Sequence, residues 1–361
     1  MTDSFREKLY PVNQSVSVAN NAANDKYVSS NEATIALEIQ DLTKHFKVRL
    51  GRNPLSLKSA TVKAVDGLSF TLHAGQTLGL VGESGCGKTT VGRSILRLID
   101  PTSGDVHFHG ENIARCDKKS LEAMRRRMQV IFQDPFASLN PRMTVGQIIA
   151  EPLQVYKLVD SKLAARKRVA ELLSNVGLIS GTAERYPHQL SGGQRQRVGI
   201  ARSLAMEPST IICDEPVSAL DVSVQAQIMN LLEELQQEFG LSYVFIAHDL
   251  AVVRHISHRV VVMYLGKVME MADCDDLYSK PLHPYTKALM DAAPIPDASS
   301  ERVTERRMLK GEIPSPLSPP PGCVFSSRCP HAIEACKTQS PPLKEYRPGQ
   351  YAACIRIEET H

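Results

Sequence analysis

Residues 77–96 read TLGLVGESGCGKTTVGRSIL. An apolar run ends on a glycine loop, and a helical pattern from about Lys88 to Leu98 follows, the order that a phosphate cradle requires. Gly82 to Thr89 fits G-x-x-x-x-G-K-[ST]. Glycines let backbone N–H groups curl round phosphate oxygens, Lys88 brings a point charge to the β and γ phosphates, and the Thr89 hydroxyl is a ligand for Mg²⁺. The expected phosphate-binding set is Gly82, Ser84, Gly85, Cys86, Gly87, Lys88, Thr89 and Thr90. Of Cys86 only the backbone is needed, and its thiol is given no role.

The 361 residues exceed one average domain, so a full core with an added module is expected. With 22% charged and 42% apolar residues the chain has a globular composition. A net charge of +3 is too mild to announce a nucleic-acid binder, and the tight basic run Arg125-Arg126-Arg127 reads as a solvated helix or strand edge. The sequence contains no run of about 18 apolar residues, and MTDSFREKLY lacks the apolar centre of a signal peptide. These features point to a cytosolic address, at most docked to a membrane protein.

Outward from the loop, residues 1–33 are rich in Asn, Ser and Ala without periodicity and read as a flexible leader. LEIQDLTKHF and AVDGLSFTL read as strands leading into TLGLVG. Between about 137 and 205 the β-rich runs vanish, and Val169, Leu172, Leu173 and Val176 fall at helical spacing, which predicts a helical subdomain inserted into an α/β core. STIICDEP and LSYVFIAHD read as further strands, with an amphipathic helix between them from Ser223 to Phe239 that Gly240 stops. Strands and helices alternating in this way predict a mainly parallel sheet with active residues at its strand ends. The expected domains are 34–270 and a proline-dense, cysteine-bearing extension over 271–361.

Two more motifs carry chemistry. Asp214 and Glu215 end an apolar strand, where the first carboxylate can hold Mg²⁺ through water and the second can polarise an attacking water as general base. LSGGQRQR, residues 190–197, starts a helical run, and a helix N-terminus binds anions through its free N–H groups and its dipole. One nucleotide needs one cradle, so a second glycine pair so far downstream is read as serving a nucleotide held by another subunit.

In order, these motifs resemble those of the nucleotide-binding subunits of ABC transporters, over about residues 35–270. The resemblance implies a P-loop NTPase with a RecA-like parallel-sheet core, an N-terminal antiparallel β subdomain and the inserted helical subdomain. It also implies roles for residues: Gln133 in VIFQDP contacts Mg²⁺ and the lytic water and senses a transmembrane partner, and His248 in IAHDL holds the γ-phosphate. Mg²⁺ then has Thr89, Gln133 and Asp214, and catalysis rests on Glu215, His248 and Gln133. Ser191, Gly192, Gly193 and Gln194 act on the partner's ATP, while Ser218 and Asp221 belong to the dimer-interface loop. Phe46 matches the aromatic that stacks on adenine, although a phenylalanine there also reads as core.

HPYTKAL at 283–289, GEIPSPLSPPPGC and four clustered cysteines resemble the C-terminal extension of oligopeptide and dipeptide importer ATPases, those of dipeptide import most of all. The implied function is the ATP-hydrolysing motor of an importer of dipeptides or short oligopeptides. Its partners are a second, homologous ATPase, two permease chains and an extracytoplasmic binding protein, with no nucleic acid, at the cytoplasmic face of the inner membrane. Nickel, glutathione or antimicrobial peptides are other cargoes of similar machines. A soluble ABC protein acting on nucleic acid or ribosomes would carry two cassettes or a coiled-coil insertion, and neither is present. Cys323, Cys329, Cys336 and Cys354 could ligate a [4Fe-4S] cluster, as the resemblance implies. Zinc and plain reduced thiols remain alternatives, though the short C-x2-4-C pairs usual for zinc are missing.

Overall fold

The computed structural model describes residues 34–49, 59–292 and 311–357, so the expected leader over 1–33 lies outside the described residues. Two long strands open the fold, β1 (Ile35–Arg49) and β2 (Ser59–His73), and β3 (Thr77–Val81) follows. Next come α1 (Lys88–Ile95), β4 (Ser103–Phe108), β5 (Glu111–Asn112), α2 (Lys118–Arg127) and β6 (Met128–Ile131). The α1 helix stops at Ile95, short of the expected Leu98. Strands β2-β1-β4-β5 form an antiparallel sheet. Its inner face, with Leu37, Ile39, Leu42, Leu68, Phe70 and Phe108 buried, packs over β3 and α1.

The helical insertion follows, with α3 (Val145–Val155), α4 (Lys162–Asn175) and α5 (Gly192–Leu204). Thr144 caps α3 by accepting from the Gln147 N–H while the Gln147 side chain accepts from the Thr144 N–H, a reciprocal cap that satisfies two orphan donors. Val169, Leu172, Leu173 and Val176 are all buried, as their spacing requires. The basic run forms the last turn of α2, where Arg125 donates to the carbonyls of Leu96 and Arg97 and Arg127 lies over the Phe108 ring. Two of its three guanidinium groups are thus engaged within the chain.

The chain then returns to the core through β7 (Thr210–Asp214), α6 (Val222–Phe239), β8 (Ser242–Ala247), α7 (Leu250–Ile256), β9 (Arg259–Tyr264) and β10 (Lys267–Asp273). Gly240 ends α6 with φ 65°, a left-handed conformation that glycine adopts without penalty. Strands β9, β3, β8, β7 and β6 are adjacent and parallel. Every residue of β3, β7 and β8 is buried, as expected for a sheet covered on both faces.

The C-terminal region comprises α8 (Cys274–Ser279), α9 (Pro284–Ala292), α10 (Glu334–Thr338), β11 (Lys344–Arg347) and β12 (Gln350–Ala352). It extends the core sheet: β12 pairs with β10 and β11 with β12, giving eight strands in the order β11-β12-β10-β9-β3-β8-β7-β6. The division expected at 270/271 falls inside β10. Buried Glu270 there accepts from the N–H groups of Leu282 and His283 at 2.8 Å each and from the Gln350 amide at 3.1 Å. Two further segments, at 282–283 and at Gln350, are thereby fixed to one carboxylate.

Candidate functional site: a phosphate cradle at the sheet's C-terminal edge

The loop at 82–87 leaves β3 and enters α1 with Gly87 as the helix N-cap. Gly87 has φ 110°, and a Cβ there would lie 2.0 Å from the Ala64 carbonyl oxygen, so only glycine lets the loop pass this close to β2. Lys88 is buried, and its ammonium donates to the carbonyls of Gly82 at 2.7 Å and Glu83 at 3.2 Å. Burial holds the Cys86 thiol above its ordinary pKa.

The ends of β6, β7 and β8 bring the other expected groups to the same edge. The Thr89 hydroxyl donates to Asp214 Oδ1 at 2.9 Å. Burial raises the Asp214 pKa, and the Thr89 hydrogen bond and Arg93 oppose that shift. One residue on, Glu215 holds φ 47°, uncommon for a side chain with a Cβ, and its N–H donates to the Ile246 carbonyl on β8. Its Oε2 accepts from the Gln133 amide at 2.9 Å and lies 3.4 Å from His248 Nδ1. Gln133 and His248 thus converge on one carboxylate oxygen of Glu215.

These groups line a single cavity of about 780 Å³. Ser84, Gly85, Cys86, Gly87, Lys88, Thr89 and Thr90 form its floor, and Gln133, Glu215, Ser218 and His248 stand on its wall. Gly82 contributes from behind, through the carbonyl that Lys88 reaches. Asp214 is reached through Thr89. Phe46 does not line the cavity, although its cross-strand partner Val62 does, and its ring lies 5.0 Å from the Lys44 ammonium. Lys63, Ala64, Leu265, Gly266 and Pro316 complete the wall. No motif marks these five, because they arrive from β2, the β9–β10 turn and the C-terminal region by folding alone.

The second glycine motif lies apart. Ser191 caps α5, accepting from the Gln194 N–H at 3.3 Å, and the Gln194 side chain accepts from the Ser191 N–H at 3.1 Å. A Cβ on Gly193 would lie 2.5 Å from Val224 Cγ1 of α6, so the glycine lets the two helices close. None of Ser191, Gly192, Gly193 and Gln194 lines the cavity that their own chain builds, and Asp221, the exposed residue before α6, does not either.

The four tail cysteines, Cys323, Cys329, Cys336 and Cys354, meet around one small cavity of about 20 Å³, with His283, Phe325 and His331 beside them. Burial pushes the Cys323 thiol up to about 11 and raises those of Cys329 and Cys354. Among the described residues, no group of three or more His, Cys, Asp or Glu side chains is disposed to hold a metal ion. Nor is any helix among them long and apolar enough to cross a membrane.

Comparison with known proteins accounts for both parts of the chain. Residues 65–218 match the ABC transporter family, and residues 269–336 match the C-terminal region of oligopeptide/dipeptide transporters. The oligopeptide transport ATP-binding protein AppF of Bacillus subtilis is 53% identical over 90% of this chain and 98% of its own length. OppF of Haemophilus influenzae, an oligopeptide transport ATP-binding protein, is 49% identical over 91% and 99%. Among solved structures, the ATP-binding cassette MJ0796, a dimer in a post-hydrolysis state with ADP and Pi, is 31% identical with a TM-score of 0.58, covering 66% of this chain and 98% of that one. CbiO1 of Clostridium perfringens, part of the ABC transporter complex CbiONQ, is 27% identical at the same TM-score, covering 68% and 92%. With the phosphate loop, Gln133, Glu215 and His248 gathered round one cradle and its relatives matched over nearly their whole length, the chain belongs to the ABC transporter ATP-binding proteins, in the branch that carries the oligopeptide/dipeptide transporter C-terminal region.

Proposed function

We propose that the chain is the ATP-hydrolysing motor subunit of a membrane importer of dipeptides or short oligopeptides. The ATPase part of this reading is carried by the single cavity in which the loop, Gln133, Glu215 and His248 meet while the signature helix stays outside it, and the import of peptides is supported by the oligopeptide transport relatives and the matching C-terminal region. ATP phosphates lie against the loop N–H groups and Lys88. Thr89, Asp214 and Gln133 would hold Mg²⁺, and the hydroxyl and carboxylate already in contact suit that hard cation, which neutralises charge on the β and γ phosphates. Glu215 takes the proton of the attacking water, held in place by Gln133 and His248 on its Oε2. His248 turns to the γ-phosphate once nucleotide is bound, and Phe46 offers a ring to adenine.

The capped N-terminus of α5 is proposed to cover the γ-phosphate held by another subunit, with Ser218 and Asp221 at the same interface. The dimeric state of the MJ0796 cassette supports this arrangement. ATP then joins two ATPases, this chain and a homologous one, and their closure and release drive two permease chains fed by an extracytoplasmic binding protein. The chain works peripherally on the cytoplasmic face of the inner membrane. The four cysteines are proposed as a thiolate set for a [4Fe-4S] cluster, with zinc as the alternative, serving to staple the C-terminal region; all four line one small cavity, but as they stand no three of them are disposed to hold a metal ion, so the cluster requires them to draw together. Iron and acid-labile sulfide in anaerobically purified protein would test it, and their absence would contradict the cluster.

The experiment for the function as a whole is capture of the chain from its native membranes in mild detergent, with mass spectrometry of its companions. A second ABC ATPase and two permeases are expected. Soluble companions alone would leave the nucleotide chemistry standing and overturn the transport role.

A further inference from the structure

Glu83 occupies a variable position of the phosphate loop, to which the motif assigns no chemistry, yet each of its polar groups is engaged. Its carbonyl accepts from the Lys88 ammonium. Its N–H donates to the Tyr285 hydroxyl at 3.0 Å. Its carboxylate receives both arms of the Arg328 guanidinium, Nη1 to Oε2 at 2.6 Å and Nη2 to Oε1 at 2.9 Å. Two of these three partners, Tyr285 and Arg328, come from the C-terminal region, more than 200 residues away.

The fork lies in a setting where it counts. The Arg328 side chain is 6% exposed and that of Glu83 22%, so the pair is screened far less than a surface ion pair. A two-point guanidinium–carboxylate contact fixes orientation as well as distance, and an ammonium cannot reproduce it. Arg328 also donates to the Tyr264 hydroxyl at 3.3 Å and sits over that ring, which packs against Tyr285 and Phe325 at centroid distances of 4.8 and 5.4 Å. Arg328 is thus held by a hydroxyl and a ring as well as by the carboxylate. Phe325 and Tyr285 are fully buried.

We propose that Arg328 is a positioning residue of the nucleotide site: its fork on Glu83, backed by the Tyr285 hydroxyl, holds the phosphate loop in the shape that accepts ATP, so that the C-terminal region sets nucleotide affinity. The inference rests on reading the cavity as the ATP site. Without the fork the loop must be ordered by the nucleotide itself, and that cost appears in binding. Turnover at saturating ATP, which depends on Glu215, Gln133 and His248 on other strands, changes little.

The test measures ATP affinity of the full-length chain, and KM and kcat of the assembled complex, for Arg328→Met, Arg328→Lys, Glu83→Gln and the double variant Arg328→Met/Glu83→Gln. Arg328→Met keeps an apolar stem on Tyr264 and should weaken ATP binding about tenfold, with KM rising in step and kcat within about twofold. Arg328→Lys should fall between it and the wild type. The double variant should bind no more weakly than the weaker single variant, because both remove the same contact. Should Arg328→Met prove too unstable to purify, Glu83→Gln and Arg328→Lys carry the same expectation of a raised KM. Folded variants with lowered melting temperature but unchanged ATP affinity would make the pair a structural brace and overturn the inference. Failure of the wild-type chain to bind ATP would instead remove the underlying reading.

Discussion

The phosphate-loop edge of the core and the C-terminal region build their sites by opposite routes. At the edge, local sequence sets the geometry: four strand ends, each followed within a few residues by its functional side chain, lie next to one another in the order β3-β8-β7-β6. In the C-terminal region the geometry comes from contacts far apart in the chain, such as Glu270 with Leu282, His283 and Gln350, or Glu83 with Arg328. A site of the first kind can be read from spacing. One of the second kind becomes visible only in the folded chain.

The contrast can be broken most sharply at Glu215. Glu215→Gln keeps the size and the contact with Gln133 but cannot take up a proton, so turnover should drop roughly 10²–10⁴-fold with ATP binding retained. Equal turnover in the two proteins would remove Glu215 as the base. In the C-terminal region the corresponding loss is one of stability: Phe325→Ala empties a fully buried ring site and should cost about 3–5 kcal/mol in a urea melt. A cost near zero would mean that this region is not part of the cooperative core.

Acid sharpens the comparison. His283 is fully buried and its Nδ1 accepts from the Tyr285 N–H, and burial lowers its pKa from 6.5 to about 3. The unfolded chain binds the proton first as pH falls below 6.5. Stability from neutral His283 is therefore complete above that pH and is lost progressively down towards about pH 3. The loss amounts to about 2 kcal/mol at pH 5, and replacing His283 by Gln should flatten this part of the stability–pH curve. An unchanged slope in that variant would move the acid sensitivity elsewhere, for instance to His258, whose pKa burial also lowers.

Much of the fold was legible because its periodicities are strong. The apolar strands β3, β7 and β8 lie where the pattern put them, and α6 buries Ile228, Leu231, Leu232 and Leu235 of its apolar face while Phe239 at its end stays exposed. The pairing of β12 with β10 was not legible, because three residues, QYA, carry no period of their own and their partner lies some 80 positions away. In the site, glycines, lysine and acids announced themselves by spacing. Lys63, Ala64, Leu265, Gly266 and Pro316 did not, since a cavity wall demands shape and places no demand on residue type. Arg328 was hidden for a further reason: an arginine beside a cysteine looks like any surface charge until Glu83 is found against it.

If the ATP site is completed by a second subunit, Ser191 is the position where that shows. Ser191→Asp preserves the helix cap, since aspartate caps as well as serine, but places a negative charge where the other subunit's γ-phosphate would approach. ATP affinity of the isolated chain and ATP turnover of the assembled complex are the two readings. Affinity should be unchanged and turnover reduced about 100-fold or more. Unchanged turnover would contradict a site completed by a second subunit, because the signature helix would then have no phosphate to meet.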